Sequence, residues 1–288
     1  MAVCFFGELK NYPPIQNATH ATERDAHQLT KTVEEVDPFA DFDLSHLGLE
    51  LDEPTEATDK HTMLLYGRHR VGKTTLASTL AEVEGKYPIL WVAAEDGTTA
   101  FAGKYPKGRI KVVNVRTWKE IEALVNMVLD NDTPFKTIVF DTLGEIQEII
   151  KRDYLKANKS SDFAMWAQIA DNLTWLVTQF QDKEAPYNAI YIAHTEKVKD
   201  DNLGSVLLSP YFLGKKSIVD IPKIPDTIAY LAKAEDGDGE TVRVLQLTST
   251  ERIDAGSRVE HRLPKQMVNP SMGEFFAYLT GEKPLPEQ

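Results

Sequence analysis

From residue 61 onward, apolar residues in this chain fall into short unbroken runs separated by stretches of helical spacing, and the pattern changes near residue 225. Met63-Leu64-Leu65-Tyr66, Pro88-Ile89-Leu90-Trp91-Val92-Ala93-Ala94, Lys136-Thr137-Ile138-Val139-Phe140-Asp141 and Ala189-Ile190-Tyr191-Ile192-Ala193-His194 read as buried strands, with Lys111–Val115 a shorter one. A brief continuous apolar run suits a strand covered on both faces. Between these runs, Leu76, Ala77, Leu80 and Ala81 recur at helical spacing. So do Trp118, Ile121, Leu124, Val125 and Val128, and again Ile169, Leu173, Leu176, Val177 and Phe180. Thr117-Trp118-Lys119-Glu120 has the spacing of a capping box, in which hydroxyl and carboxylate each satisfy the other residue's backbone donor.

Beyond residue 225, Asp226–Leu231 and Thr241–Leu247 flank Glu235-Asp236-Gly237-Asp238-Gly239, an antiparallel hairpin signature. Ser271-Met272-Gly273-Glu274 then caps a final helix carrying Phe275, Phe276 and Leu279. Strands alternating with helices predict an α/β fold: a mainly parallel sheet with helices on both faces and an antiparallel C-terminal hairpin. There is no internal repeat.

Residues 1–60 depart from this pattern. Met1–Leu9 is apolar enough for a strand or anchor and Tyr12-Pro13-Pro14 ends it, while Ala26, Leu29, Val33 and Val36 share one helical face. Asp37–Leu44 is acidic with spaced aromatics, and Glu53–Asp59 has linker composition. The first reading is a solvated acidic tail; the sharper one is an oligomerisation arm whose Phe39 or Phe42 plugs a neighbouring subunit. The expected organisation is an acidic extension over 1–60 and an α/β core over 61–288 that ends in that final helix.

Charge sharpens that division. The net charge is −12, and residues 1–60 hold thirteen acids against four Lys/Arg, so the remainder is nearly neutral and local basic patches stay possible. Cys4 is the only cysteine, which leaves no disulfide framework and no cysteine-rich zinc site, with a reducing interior as the default setting. With no signal-like or membrane-length apolar run, a cytoplasmic protein without a membrane partner is expected.

Chemistry concentrates after the first strand of the core. Gly67-Arg68-His69-Arg70-Val71-Gly72-Lys73-Thr74-Thr75 carries G-x-x-x-x-G-K-T between a strand and a helix, the arrangement of a phosphate-binding loop. The glycines permit a sharp exit and a close backbone approach, and the loop amides and helix start face the phosphates. Lys73 suits the β/γ-phosphates of ATP, and the Thr74 hydroxyl suits Mg2+. Hydrolysis also needs an oriented water and charge compensation. Asp141, ending an apolar strand, is the second magnesium candidate, and Glu95, beyond another strand end, is the candidate base, with Asp96 and Glu145 as rivals. His194 ends its own strand at the same edge, where ligands bind in open parallel sheets.

These landmarks, in this order, resemble the RecA-like ATPase core. Leu64-Leu65-Tyr66-Gly67, Ala94-Glu95-Asp96-Gly97 and Ile192-Ala193-His194 look most like the phage-encoded RecA-like P-loop ATPases of the Sak single-strand annealing group. The resemblance spans roughly residues 61–265, and RecA-type recombinases usually carry glutamine where His194 stands. It implies single-stranded DNA as a partner and two DNA-facing loops. One contains Lys156 and Lys159; the other runs from Lys197 to Lys216 and includes Tyr211, Phe212 and Lys215. Lysines supply phosphate contacts and aromatic rings stack on unpaired bases. It also implies a homo-oligomer, ring or filament, with Arg252 or Arg258 reaching the neighbour's nucleotide. The implied function is DNA-stimulated ATP hydrolysis assisting annealing or recombination in a phage-infected host cytoplasm, with a single-strand-binding or replication protein as a further partner. The alternative is a nucleotide-switched adaptor or helicase loader. A small-molecule phosphotransferase ranks last, because no acceptor pocket under a lid is evident.

Overall fold

The computed structural model describes residues 60–158, 160–181, 186–199 and 206–286. The expected arm, Phe39 and Phe42, the linker and Lys159 lie outside the described residues. In chain order the elements are β1 Thr62–Gly67, α1 Lys73–Ser78, β2 Ile89–Ala93, β3 Ile110–Asn114, α2 Trp118–Asp130, β4 Thr137–Asp141, α3 Leu143–Asn158 and α4 Phe163–Thr178. They continue with β5 Asn188–Ala193, β6 Thr195–Lys199, β7 Val206–Pro210, α5 Lys215–Asp220, β8 Thr227–Glu235, β9 Thr241–Gln246, β10 Gly256–Ser257, β11 Gln266–Val268 and α6 Met272–Leu279.

The main sheet runs β11-β9-β8-β1-β5-β4-β2-β3, with β10 on β8. The stretch from β8 to β3 is parallel throughout, and β9 and β11 add antiparallel pairs. This is the expected α/β architecture. Alternate strand residues feed two cores, as the two-residue period of a strand requires. Leu64, Leu90, Val92, Ile138 and Phe140 pack with α2, α3 and α4, while Met63, Ile89, Trp91, Val139 and Ile190 pack with α1 and α6. Fully burying one such side chain contributes about 1.5–3 kcal/mol, so the two cores together fix the sheet between its helical layers.

Local signals behave as their chemistry requires. Thr117 Oγ1 accepts from the Glu120 amide at 3.3 Å and Glu120 accepts from the Thr117 amide at 3.0 Å, closing the capping box of α2. Ser271 accepts from the Glu274 amide at the start of α6. The β8–β9 hairpin stands where the Asp236–Gly239 turn was expected.

The segment Lys197–Lys216 differs from its expectation as one long loop. Thr195–Lys199 pairs antiparallel with Val206–Pro210 as a two-stranded sheet, and α5 follows. A dense run of Lys and Asp masks the alternation there. The tie to the core is tertiary, because the Tyr66 hydroxyl donates to the Leu208 carbonyl at 2.9 Å and to the Asp254 carbonyl at 2.6 Å. Among the described residues no helix is long and apolar enough to cross a membrane.

Candidate nucleotide site

Strand register assembles the site. Ala93, Asp141 and Ile192 pair in one row across β2, β4 and β5, and Ile192 pairs with Leu65 of β1. Glu95 and His194 therefore stand two residues beyond that row, and the phosphate loop leaves β1 at the same edge. Gly67 must be glycine, because a Cβ there would meet the Leu231 carbonyl at 2.4 Å. Arg70 (φ 58°) and Gly72 (φ 107°) take left-handed backbone, which turns the loop into the start of α1. The first turn of α1 has no side-chain cap, so its amides face the cleft unclaimed by the chain's own side chains.

Lys73 is buried, and its Nζ donates to the Gly67 and Arg68 carbonyls at 2.9 and 3.0 Å. Burial lowers its pKa to about 8, against the opposing pull of Asp141 and Glu95. His194 Nδ1 lies 3.5 Å from that ammonium, and its ring packs on His69 with centroids 4.1 Å apart. Burial, helped by Lys73 and His69, lowers the pKa of His194 to about 4, so the ring is neutral at neutral pH.

Asp141 Oδ2 accepts from the Thr74 hydroxyl at 3.1 Å. Desolvation raises the Asp141 pKa, opposed by Thr74 and Lys73. The Trp91 indole approaches the same carboxylate, yet neither Trp91 Nε1 nor Asp141 Oδ1 makes a hydrogen bond among the described residues. Glu95 is half-buried, and desolvation, then Asp141 and Glu145, raise its pKa. A carboxylate so destabilised is a better proton acceptor.

These groups line one cleft of about 550 Å³, with His69, Arg70, Gly72, Lys73, Thr74, Thr75, Glu95, Asp96, Gly97, Asp141, Thr142, His194 and Arg243 on its walls. The donor set suits magnesium. Thr74 Oγ1 and Asp141 Oδ2 are hard oxygens side by side, and a Cβ on Gly97 would sit 4.0 and 3.7 Å from them. Among the described residues no three His, Cys, Asp or Glu side chains form a metal cage.

The other expected residues scatter. Arg68 and Val71 line a neighbouring cavity behind the loop. Arg258 bonds Asp226 at 3.3 Å and the Lys223 carbonyl at 3.0 Å, at the opposite end of β8 from the cleft. Arg252 is exposed beside β7, where its carbonyl accepts from the Leu208 amide. Of the DNA-facing set, Lys197, Tyr211 and Lys215 are exposed. Lys156 lies 4.0 Å from Asp153, and Lys216 bonds Asp171 at 2.6 Å. Phe212 is a correction: it is 2% exposed and packed in the core that contains side chains of α3 and α4, so its ring is closed to bases. Sequence reasoning missed Arg243, which reaches the cleft from β9; nothing in the alternating Thr241–Gln246 run marks it.

A family model described as an AAA domain (AAA_24) matches residues 59–259. The chain belongs to that family. The AAA domain spans the phosphate loop, every acid of the cleft and the β8–β9 hairpin, and it makes the chain a P-loop ATPase by family. No curated protein matches the sequence. Among solved structures, the chain is similar to a prototypical ATPase from the type III secretion system of pathogenic bacteria (15% identity, 70% of this chain and 57% of that one, TM-score 0.45). It is also similar to the ATPase EscN of the enteropathogenic E. coli type III secretion system (14%, 60% and 43%, TM-score 0.41) and to the ATPase DotB of Legionella pneumophila (10%, 68% and 48%, TM-score 0.33). The chain thus matches about half the length of each of these proteins.

Proposed function

We propose that this AAA-domain chain is a magnesium-dependent ATPase whose turnover is stimulated by single-stranded DNA. The observation that carries the hydrolytic reading is the convergence of Lys73, Thr74, Asp141, Glu95 and His194 on one cleft beside an uncapped helix start. Lys73 exchanges its carbonyl partners for phosphate oxygens, neutralising charge at the bridging and terminal groups. Thr74 and Asp141 hold magnesium, which when bound screens the phosphate charge. Glu95 orients a water at the terminal phosphate and accepts its proton, a role favoured by its raised pKa. Neutral His194, against Lys73 and at the base of β6, is placed to relay the state of the terminal phosphate into the β6–β7 hairpin.

The DNA reading rests on surface chemistry near that hairpin. Tyr211 and Lys215 are exposed, and the Trp166 ring of α4 lies 3.5 Å from where a Cβ on Gly214 would stand. Phe163, at the start of α4, is 87% exposed. Exposed rings with nearby lysines suit unpaired bases and their phosphates. The wider reading is a phage-type annealing or recombination ATPase of the Sak group acting as a ring or filament, with Arg252 or Arg258 as the candidate for a contact in trans. Residues 1–60 serve that reading as an acidic extension, and 61–288 as its ATPase core.

Phosphate release with and without single-stranded DNA tests this. Stimulation that falls log-linearly with salt is expected; release equal with and without DNA at low salt rejects DNA as the effector. The acidic excess of residues 1–60 favours one second reading, an adaptor that recruits a replication partner. Deleting that segment separates the two, because the adaptor loses its partner while the DNA-stimulated ATPase keeps its turnover.

A further inference from the structure

Arg243 sits on β9, far from the phosphate loop in sequence, yet its Nε donates to the Val71 carbonyl at 3.0 Å. It presses so closely on the loop that a Cβ on Gly72 would meet Nε at 2.7 Å. The backbone angle of Gly72 requires glycine, and the Arg243 side chain lies against it. The guanidinium forms part of the wall of the nucleotide cleft, and among the described residues only Nε has a hydrogen-bond partner. Its terminal nitrogens are two forked donors at the mouth of a site built for phosphate.

Charge supplies a second, independent observation. Lys233 of β8 pairs directly opposite Arg243 in the hairpin. Like charges facing each other across two strands destabilise the pair. Neither residue has a carboxylate within 4.0 Å among the described residues, and Arg68 and Arg70 beside them have none either. In a chain of net charge −12, that is a cationic cluster without counter-charge, at the edge of the phosphate loop. An anion arriving there relieves the repulsion.

The geometry points to Arg243 as a nucleotide-contacting residue supplied in cis: its guanidinium grips the phosphate chain of the bound nucleotide and makes the β8–β9 hairpin the second wall of the site. The Nε bond to Val71 aims the fork, and the planar group matches phosphate oxygens in pairs, as an ammonium cannot. Grip on the phosphates then couples nucleotide occupancy to the hairpin. The inference rests on the nucleotide-binding reading of the cleft.

Titration of the full chain with a fluorescent ATP analogue, and with ADP and adenosine as competitors, tests it. Arg243→Gln, which keeps length and a neutral donor, is expected to weaken ATP about 10- to 100-fold, the loss of one charged hydrogen-bonded contact. Arg243→Lys falls between that variant and the wild type. Adenosine competition stays unchanged, and the slope of log affinity against log salt becomes shallower for the glutamine variant. Without nucleotide, the glutamine variant melts at or above the wild-type temperature because the opposed cations are gone. Equal ATP affinity in wild type and Arg243→Gln overturns the assignment alone, and so does weakening with an unchanged salt slope, which marks Arg243 as a brace for the loop. A wild-type chain that does not bind ATP overturns the nucleotide reading and the role of Arg243 with it.

Discussion

The two ends of the parallel sheet use polar residues in opposite ways. At the end where the strands begin, polar groups are paired with one another. Asp226 Oδ2 accepts from the Thr62 amide and hydroxyl at 2.9 and 2.7 Å, and Arg258 closes on its other oxygen. His61 bonds Thr227, Thr227 bonds Ser257, and Asn188 accepts from the His61 amide. At the end where the strands finish, Asp141 keeps an unpartnered buried oxygen, Lys73 is desolvated, Glu95 is pushed toward its neutral form, and Lys233 faces Arg243. One edge spends its polar groups on holding strands together. The other keeps them electrostatically unsettled, which is useful only when a ligand of complementary charge completes them.

The contrast breaks most visibly at the strand tips. Lys73→Ala is expected to weaken ATP binding by about 100-fold or more, since a desolvated ammonium makes several charge-assisted bonds to phosphate. Glu95→Gln should instead leave affinity within a few-fold while single-turnover hydrolysis falls by about 100- to 10,000-fold, the range for removing a general base. Normal turnover in that variant would remove Glu95 from the chemistry and turn attention to Asp96, on the same cleft wall.

The strand-start edge should answer with stability alone. Asp226→Ala leaves the Thr62 amide and hydroxyl without their carboxylate, costing about 3 kcal/mol. Urea midpoints read the loss, and a per-molecule change in nucleotide affinity would contradict the division between the edges.

A smaller effect is common to both ends. His61 and His194 each have a pKa lowered to about 4, chiefly by burial, against an ordinary 6.5. The unfolded chain takes up these protons first, so stability is full above about pH 6.5 and falls as the pH drops toward about 4. His61→Gln should flatten that slope in a pH series of denaturation midpoints, with nucleotide affinity at neutral pH unchanged.

Much of this was legible in the chain because the signals were local. Five buried or short strands, the capping box at Thr117, the hairpin turn at Asp236 and the spacing from Gly67 to Thr74 each depend on residues within a few positions of one another. Glu95, Asp141 and His194 could be proposed together because parallel strands place their final residues at a common edge. Where the expectations failed, the deciding partners were distant in sequence. Phe212 is buried among side chains of α3 and α4 rather than by its loop. The β6–β7 hairpin pairs locally behind a masking run of Lys and Asp, and only its tie to the core, from Tyr66 to Leu208, is distant.

The sequence by itself determined that a phosphate loop stands between a strand and a helix in a parallel α/β sheet, because glycine backbone freedom and apolar periodicity are written residue by residue. Only the tertiary structure decided that Arg243 reaches that loop from a strand 172 positions beyond Val71. It also decided which lysines already have acidic neighbours and which ring is closed in the core. Those facts depend on which segments become neighbours once the sheet has folded, and strand order and register exist only in three dimensions.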